Sequence, residues 1–224
     1  MSTEPIVYLV DDDLAVLKAM TRLLEAEGMA VCAFSSADSF LRAHDPAVPG
    51  CAVVDVCMPG PGGLALQREL QDAGAARAIV FVTGHGDVEQ GVRAMKAGAV
   101  DFLTKPFDAG DFVGAVRHAL EHERHERAVS SELQRIRAHL DLLTRRERQV
   151  VRYVVAGRLN KQIASELGIA EKTIKVHRAR AMEKMGVGSL AQLVREVVEV
   201  ESGAVAVGEG EGEGEGEPAG QRAG

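Results

Sequence analysis

Five short apolar runs in the first half of the chain restrict its folding more than any other feature: Ile6–Val10, Ala30–Phe34, Cys51–Val54, Ala78–Val82 and Val100–Leu103. Several of them, "AIVFV" among them, are apolar at successive positions rather than at every second one. A strand with one wet face alternates, whereas a strand apolar throughout is covered on both faces. Between the runs lie stretches with helical spacing, Leu14–Glu27, Ala37–His44, Leu64–Ala73 and Val88–Ala97, and another follows at Ala109–Arg124. Strands alternating with helices predict a doubly wound, five-stranded parallel sheet with helices on both sides.

In such a sheet, ligands bind outside the carboxyl ends of the strands at the topological switch point. The stretch "YLVDDDLAVL" places three aspartates there, Asp11, Asp12 and Asp13. Helix capping accounts for one acid before Leu14. It does not account for the other groups. Asp55 leaves the carboxyl end of the third run, a neighbour of the first in a flavodoxin-like strand order, while Thr83 closes the fourth run and Lys105 follows the fifth. Clustered carboxylates repel unless a hard cation neutralises them, and an oxygen-only set suits Mg²⁺ or Mn²⁺. A carboxylate nucleophile beside a metal, an ammonium and a hydroxyl reads as phosphoryl-transfer machinery.

The remainder differs in charge. Met1–Arg124 holds 10 basic and 18 acidic residues, while Asp141–Val200 holds 12 basic and 7 acidic, so the net −7 conceals an acidic front and a basic back. Nucleic acid is the natural partner for a basic half. Residues 125–140 read as a solvated helical linker open to partner contacts along one side, with Leu133, Ile136 and Leu140 at helical spacing, and residues 201–224 as a disordered Gly/Glu-rich tail. Cys32, Cys51 and Cys57 have no metal-ligand spacing and read as small apolar residues in a reducing compartment. With no secretory signal pattern and no membrane-spanning run, a cytoplasmic location is expected.

Residues 141–200 read as helices broken at Gly157, Gly168 and Gly186. Thr144 and Glu147 have capping-box spacing. "KQIASELG", a tight turn and "EKTIKVHRARAMEKMG" form a helix-turn-helix pattern. On a wheel, Ile174, His177, Ala181 and Met185 share the inward face. Lys172, Lys175, Val176 and Ala179 share the outward one, flanked by Thr173 and Arg180. Lysine and arginine there suit phosphates and guanine edges, and Val176 and Ala179 suit thymine methyls.

"VDDD", "DVCMPGPGG", "TGHGD" and "AGAVDFLTKPF" resemble the receiver domain of two-component response regulators over Ile6 to about Arg124, with "GHGDVEQGVRAMKAGAVDFLTKPFD" resembling the FixJ type. "LTRRERQVV", "GRLNKQIASELGIAEKTIKVHRARAMEKMGV" and "SLAQLV" resemble the LuxR-type DNA-binding domain, over about Leu143–Val197. The resemblance implies four domain segments, a receiver at 1–124, the linker at 125–140, a four-helix DNA-binding domain at 141–200 and the tail. It implies that Asp55 accepts phosphoryl from a cognate sensor histidine kinase. Asp12, Asp55 and the backbone carbonyl of Cys57 would bind the metal, with Asp11 acting through water. Thr83 and Lys105 take phosphate-contact roles, Thr83 and Phe102 act as the switch, and the Lys105–Pro106 bond is cis. Phosphorylation then alters a surface from about Asp87 to Arg124, which forms a homodimer or releases the DNA-binding half, promoter DNA is engaged by the helix starting near Lys172, and RNA polymerase is a further partner. The helix at Leu190–Val200 contributes to dimerisation.

Departures from the pattern are Cys57 where arginine is common, Pro61 stiffening the loop beside the phosphoacceptor, Ala170 in place of a capping serine, and Ala181 and Met185 at packing positions. A missing serine cap costs on the order of 1 kcal/mol. His85 reads as a loop residue rather than a second acceptor. The rival reading, a Mg²⁺-dependent phosphohydrolase with an aspartyl nucleophile, wants a second aspartate two residues on, where this chain has Cys57. The chain is therefore expected to be no enzyme beyond its own phosphorylation and dephosphorylation. A third reading keeps the receiver but makes the helix-turn-helix vestigial.

Overall fold

In the computed structural model, residues 4–60, 62–75, 77–84 and 88–208 are described, without the side chains of 88–90 and 203–208. Pro61, His85 and the Gly/Glu repeat lie outside the described residues. The chain divides into two compact units, Met1–Ala128 and Val129–Gly224.

The first unit alternates β1 (Ile6–Val10), α1 (Leu14–Ala26), β2 (Ala30–Phe34), α2 (Ala37–Ala43), β3 (Gly50–Asp55), α3 (Gly62–Asp72), β4 (Ala78–Thr83), α4 (Val88–Lys96) and β5 (Asp101–Thr104) before α5 (Ala109–Asp141). All neighbouring strands are parallel, in the order β2-β1-β3-β4-β5. The unbroken apolar runs have the cause anticipated for them. Val7, Leu9, Val53, Val80 and Val82 face one layer with Leu17, Leu24, Phe112 and Val116 from α1 and α5. Tyr8, Val10, Val54, Ile79 and Phe81 face the other with Phe40, Leu66, Leu70 and Ala94 from α2, α3 and α4. Each large aliphatic or aromatic side chain so covered contributes roughly 1.5–3 kcal/mol. Cys51 belongs to the first layer, and burial pushes its thiol up to about 12, so it behaves as a small apolar residue.

At the amino-terminal edge of the sheet, Arg77 grips the segment leading into β3. Its guanidinium donates to His44 Nε2 (2.8 Å), Gly50 O (2.8 Å), Asp45 O (3.0 Å) and Val48 O (3.0 Å), and lies 4.8 Å from the Tyr8 ring centre. His44 must be neutral to accept that bond. Burial, with Arg77 beside it, lowers its pKa to about 4. Arg127 adds bonds to Pro46 O and Ala47 O.

The second unit contains the end of α5, then α6 (Arg145–Val155), α7 (Asn160–Leu167), α8 (Glu171–Met185) and α9 (Leu190–Gly208). One core gathers Ile136, Leu143, Val151, Ala181, Met185, Leu193 and Val197, and another Val150, Val154, Ile163, Ala164 and Ile174. Residues 125–140 are the unbroken continuation of α5, and Ile136, one of the apolar positions at helical spacing, is fully buried in this core. One expectation changes here. The reading of disorder from residue 201 fails for 201–208, which extend α9.

Candidate functional site and nucleic-acid interface

The carboxyl ends of β1 and β3, adjacent strands, deliver Asp11 and Asp55 side by side, both buried. One ligand oxygen from each of Asp11, Asp12 and Asp55 lies within 4.8 Å of the others, and Asp12 is the exposed member. Lys105, just past β5, reaches across the edge of the sheet. Its ammonium donates to Asp11 Oδ2 at 2.5 Å and to Asp55 Oδ2 at 3.1 Å. Burial pushes the Lys105 pKa down, but the bonds and charges of the two carboxylates outweigh it, and the net shift is upward. For Asp11 burial is the largest influence and the net shift is also upward, against the bonds from Lys105 and from the Asp13 backbone N–H. Formally, three carboxylates against one ammonium leave two negative charges in the pocket. That is the charge of one divalent ion, and the donors are all oxygens, so the residues fit a hard dication.

Backbone bonds aim the remaining groups. The Cys57 N–H donates to Asp55 Oδ1 (3.2 Å), and the Lys105 N–H to Thr83 O (2.6 Å). Lys105–Pro106 is cis. Thr83 is fully buried, and its Oγ1 lies 3.7 Å from Cys57 Sγ. Asp13 stands apart and caps α1, accepting from the Ala15 and Val16 N–H groups. The structure thus brings together Asp11, Asp12, Asp55, Cys57, Thr83 and Lys105. Phe102 is set back, opposite Phe81 on β4. Gly91 in α4 was missed from sequence. A Cβ there would stand 2.9 Å from the Phe102 ring, so only glycine lets that helix lie on the ring.

In the second unit, α7 ends at Gly168 in the left-handed conformation (φ 65°), which turns the chain tightly into α8. Thr144 and Glu147 complete their capping box on α6. At α7, Leu159 has no acceptor, and only the returning bond from its N–H to Gln162 Oε1 is made. Ala170 provides no side-chain cap for α8. Ile174, Ala181 and Met185 are buried and His177 is half-buried, whereas Lys172, Thr173, Lys175, Val176, Ala179 and Arg180 are exposed on α8. Lys175 lies 3.5 Å from Glu171 on its own helix. Contacts not foreseen from sequence hold α8 in place. Arg178 donates to Asn160 Oδ1, Lys184 donates to buried Glu147 (2.7 Å) and to Leu142 O, and a His139 ring nitrogen lies 3.1 Å from Met185 O.

Fold and site define a receiver-type α/β domain, with an acidic pocket at its switch point, followed in one chain by a helix-turn-helix domain. Comparison with known families agrees. Residues 7–117 match the response regulator receiver domain, and residues 141–197 match the luxR family of bacterial regulatory proteins. The chain is 44% identical to the response regulator protein TmoT of Ectopseudomonas mendocina over 86% of this chain and 87% of that one. It is 47% identical to the transcriptional regulatory protein FixJ of Azorhizobium caulinodans, over 84% and 90%. The solved structure of response regulator StyR superposes with a TM-score of 0.78 at 42% identity, covering 88% of this chain and all of that one. The chain belongs to the FixJ/TodT-type response regulators and is a two-component transcriptional regulator. A receiver implies a histidine kinase partner, and a LuxR-type domain implies DNA. Among the described residues, no helix is long and apolar enough to cross a membrane.

Proposed function

We propose that Asp55 is the phosphoacceptor and that its modification controls DNA binding by the second unit. A carboxylate oxygen of Asp55 attacks phosphorus, the bond to the kinase's histidine nitrogen breaks, and an acyl phosphate remains. The observation that carries this reading is the Lys105 ammonium bridging Asp11 and Asp55 beside Asp12. Lys105 can neutralise charge on the incoming group, and the Thr83 hydroxyl can turn toward it. Asp12, Asp55 and the Cys57 carbonyl would hold Mg²⁺ or Mn²⁺, with Asp11 acting through water. When bound, the ion draws charge from the transferring oxygens.

Movement of Thr83 and Phe102 then alters the surface of α4, β5 and α5, where Val92 and Met95 are exposed, and promotes a homodimer. On α9, Leu190 and Val198 are exposed and suit the same purpose. Two copies of α8 read two half-sites of a cytoplasmic promoter, where RNA polymerase is the further partner.

Asp55→Asn tests the core of the reading. With a small phosphodonor and Mg²⁺, the parent should acquire acid-stable, base-labile label and the variant none. Label at parental stoichiometry in the variant removes Asp55 from the role. Steady turnover of a phosphomonoester by the parent favours the phosphohydrolase instead.

A further inference from the structure

A second set of metal-ligating side chains lies away from the acid pocket, on α5. His118, Glu121, His122 and His125 include three of the chain's seven histidines. Spacings of three, four and seven residues put all four within an arc of about 100° on one helix face. All four are exposed, while Phe112, Ala115, Val116 and Ala119 turn the other side of α5 into the core.

Among the described residues, none of these four side chains makes a hydrogen bond or ion pair. Their neighbours do. Glu123 holds Arg127 at 2.7 Å, and Arg117 holds Glu27 at 2.5 Å. The strip therefore has its donor atoms available, with Arg117 and Arg127 held by other carboxylates.

We propose that His118 and His122, one turn apart, bind a divalent transition ion of the Zn²⁺, Ni²⁺ or Cu²⁺ class. Side chains four residues apart on a helix start about 5–6 Å from one another at Cβ, and imidazole nitrogens close on such an ion at about 2.0–2.1 Å. Only the Asp11, Asp12 and Asp55 set already has three ligand atoms within 4.8 Å of one another among the described residues. On α5 the rings gather by rotation of exposed side chains, with no existing bond to break. Ligand chemistry separates the two sites. Oxygen donors in the pocket suit a hard ion that keeps its water, and imidazoles on α5 suit a softer one. The bound ion would clamp successive turns of α5 at residues 118–122. This inference does not depend on the phosphotransfer reading.

The test is calorimetric titration of the full chain with Zn²⁺ in excess Mg²⁺, with His118→Gln, His122→Gln and Asp55→Asn alongside. Both histidines are exposed, and far-ultraviolet circular dichroism checks that each variant is folded. One site is expected in the parent. Each histidine substitution should weaken it at least about tenfold, since even outer-shell partners of a metal cost that much. Asp55→Asn should leave it unchanged. With Cu²⁺, nitrogen couplings in the paramagnetic resonance spectrum should be present in the parent and lost from the His118/His122 double variant. No Zn²⁺ binding by the parent, affinity unchanged by either histidine substitution, or loss of the site in Asp55→Asn would each overturn the proposal.

Discussion

Ile136→Ala tests to which unit the last turns of α5 are energetically committed. Ile136 is fully buried among Leu143, Met185 and Leu193 in the second unit's core. Truncation removes three carbons, roughly 2.4 kcal/mol at about 0.8 kcal/mol per methylene. The cavity left behind raises the loss to about 3–4 kcal/mol. With a urea slope of about 1–1.5 kcal/mol/M for a small unit, the midpoint should fall by roughly 2–4 M. The chain supplies its own reporters, because it has no tryptophan and two tyrosines, Tyr8 in the first unit and Tyr153 in the second. Tyr8→Phe leaves fluorescence that reports the second unit, and Tyr153→Phe leaves a reporter of the first. Ile136→Ala should shift the Tyr153 transition and leave the Tyr8 transition in place. The exposed neighbour change Arg137→Ala should move either by no more than about 0.5 kcal/mol. An equal shift of both transitions, or none at Tyr153, would refute the assignment of Ile136 to the second core.

Glu147 gives a pH signature. Its bond from Lys184, and then that from the Thr144 N–H, lowers its pKa from 4.5 to about 2. Because the folded value is the lower one, the stabilisation is complete above about 4.5 and is lost as pH falls toward 2. Thermal melts of the second unit between those values should show the loss, Glu147→Gln should flatten it, and an unchanged profile in that variant would rule Glu147 out as its source. On α8, Lys175→Ala and Arg180→Ala should weaken binding to a selected duplex, and loss of a phosphate contact should lower the salt slope by about one. Unchanged affinity in filter binding would contradict the placement of α8 against DNA.

The sheet and its pocket were legible because both obey short-range rules. An apolar run without alternation specifies two-sided burial, and the groups at strand ends are brought together by parallel topology, so Asp11, Asp55, Thr83 and Lys105 could be assembled before any coordinate. What escaped depends on partners far along the chain. From Ala115 to Leu143 there is neither glycine nor proline, so nothing local separates a receiver helix from a linker. Ile136 declares its core only when Met185 and Leu193 reach it. Gly91 looks like any helix-weakening glycine until the Phe102 ring is set against it. The extension of α9 to Gly208 was hidden by the repeat that follows, whose composition coloured the reading of its neighbours.

Arg77 and Arg127 have a bearing on how this protein can diverge. Apart from the His44 ring, the acceptors they take around Asp45–Gly50 are main-chain oxygens. A carbonyl carries no record of the side chain attached to it, so much of this connection can drift in sequence while its path is preserved from outside; Gly50 is the exception, because a Cβ there would collide with the Ile6 carbonyl. Much of the constraint that a loop normally carries in its own residues has been moved onto two distant arginines, and these, with Gly50, are the positions where substitution should be least tolerated.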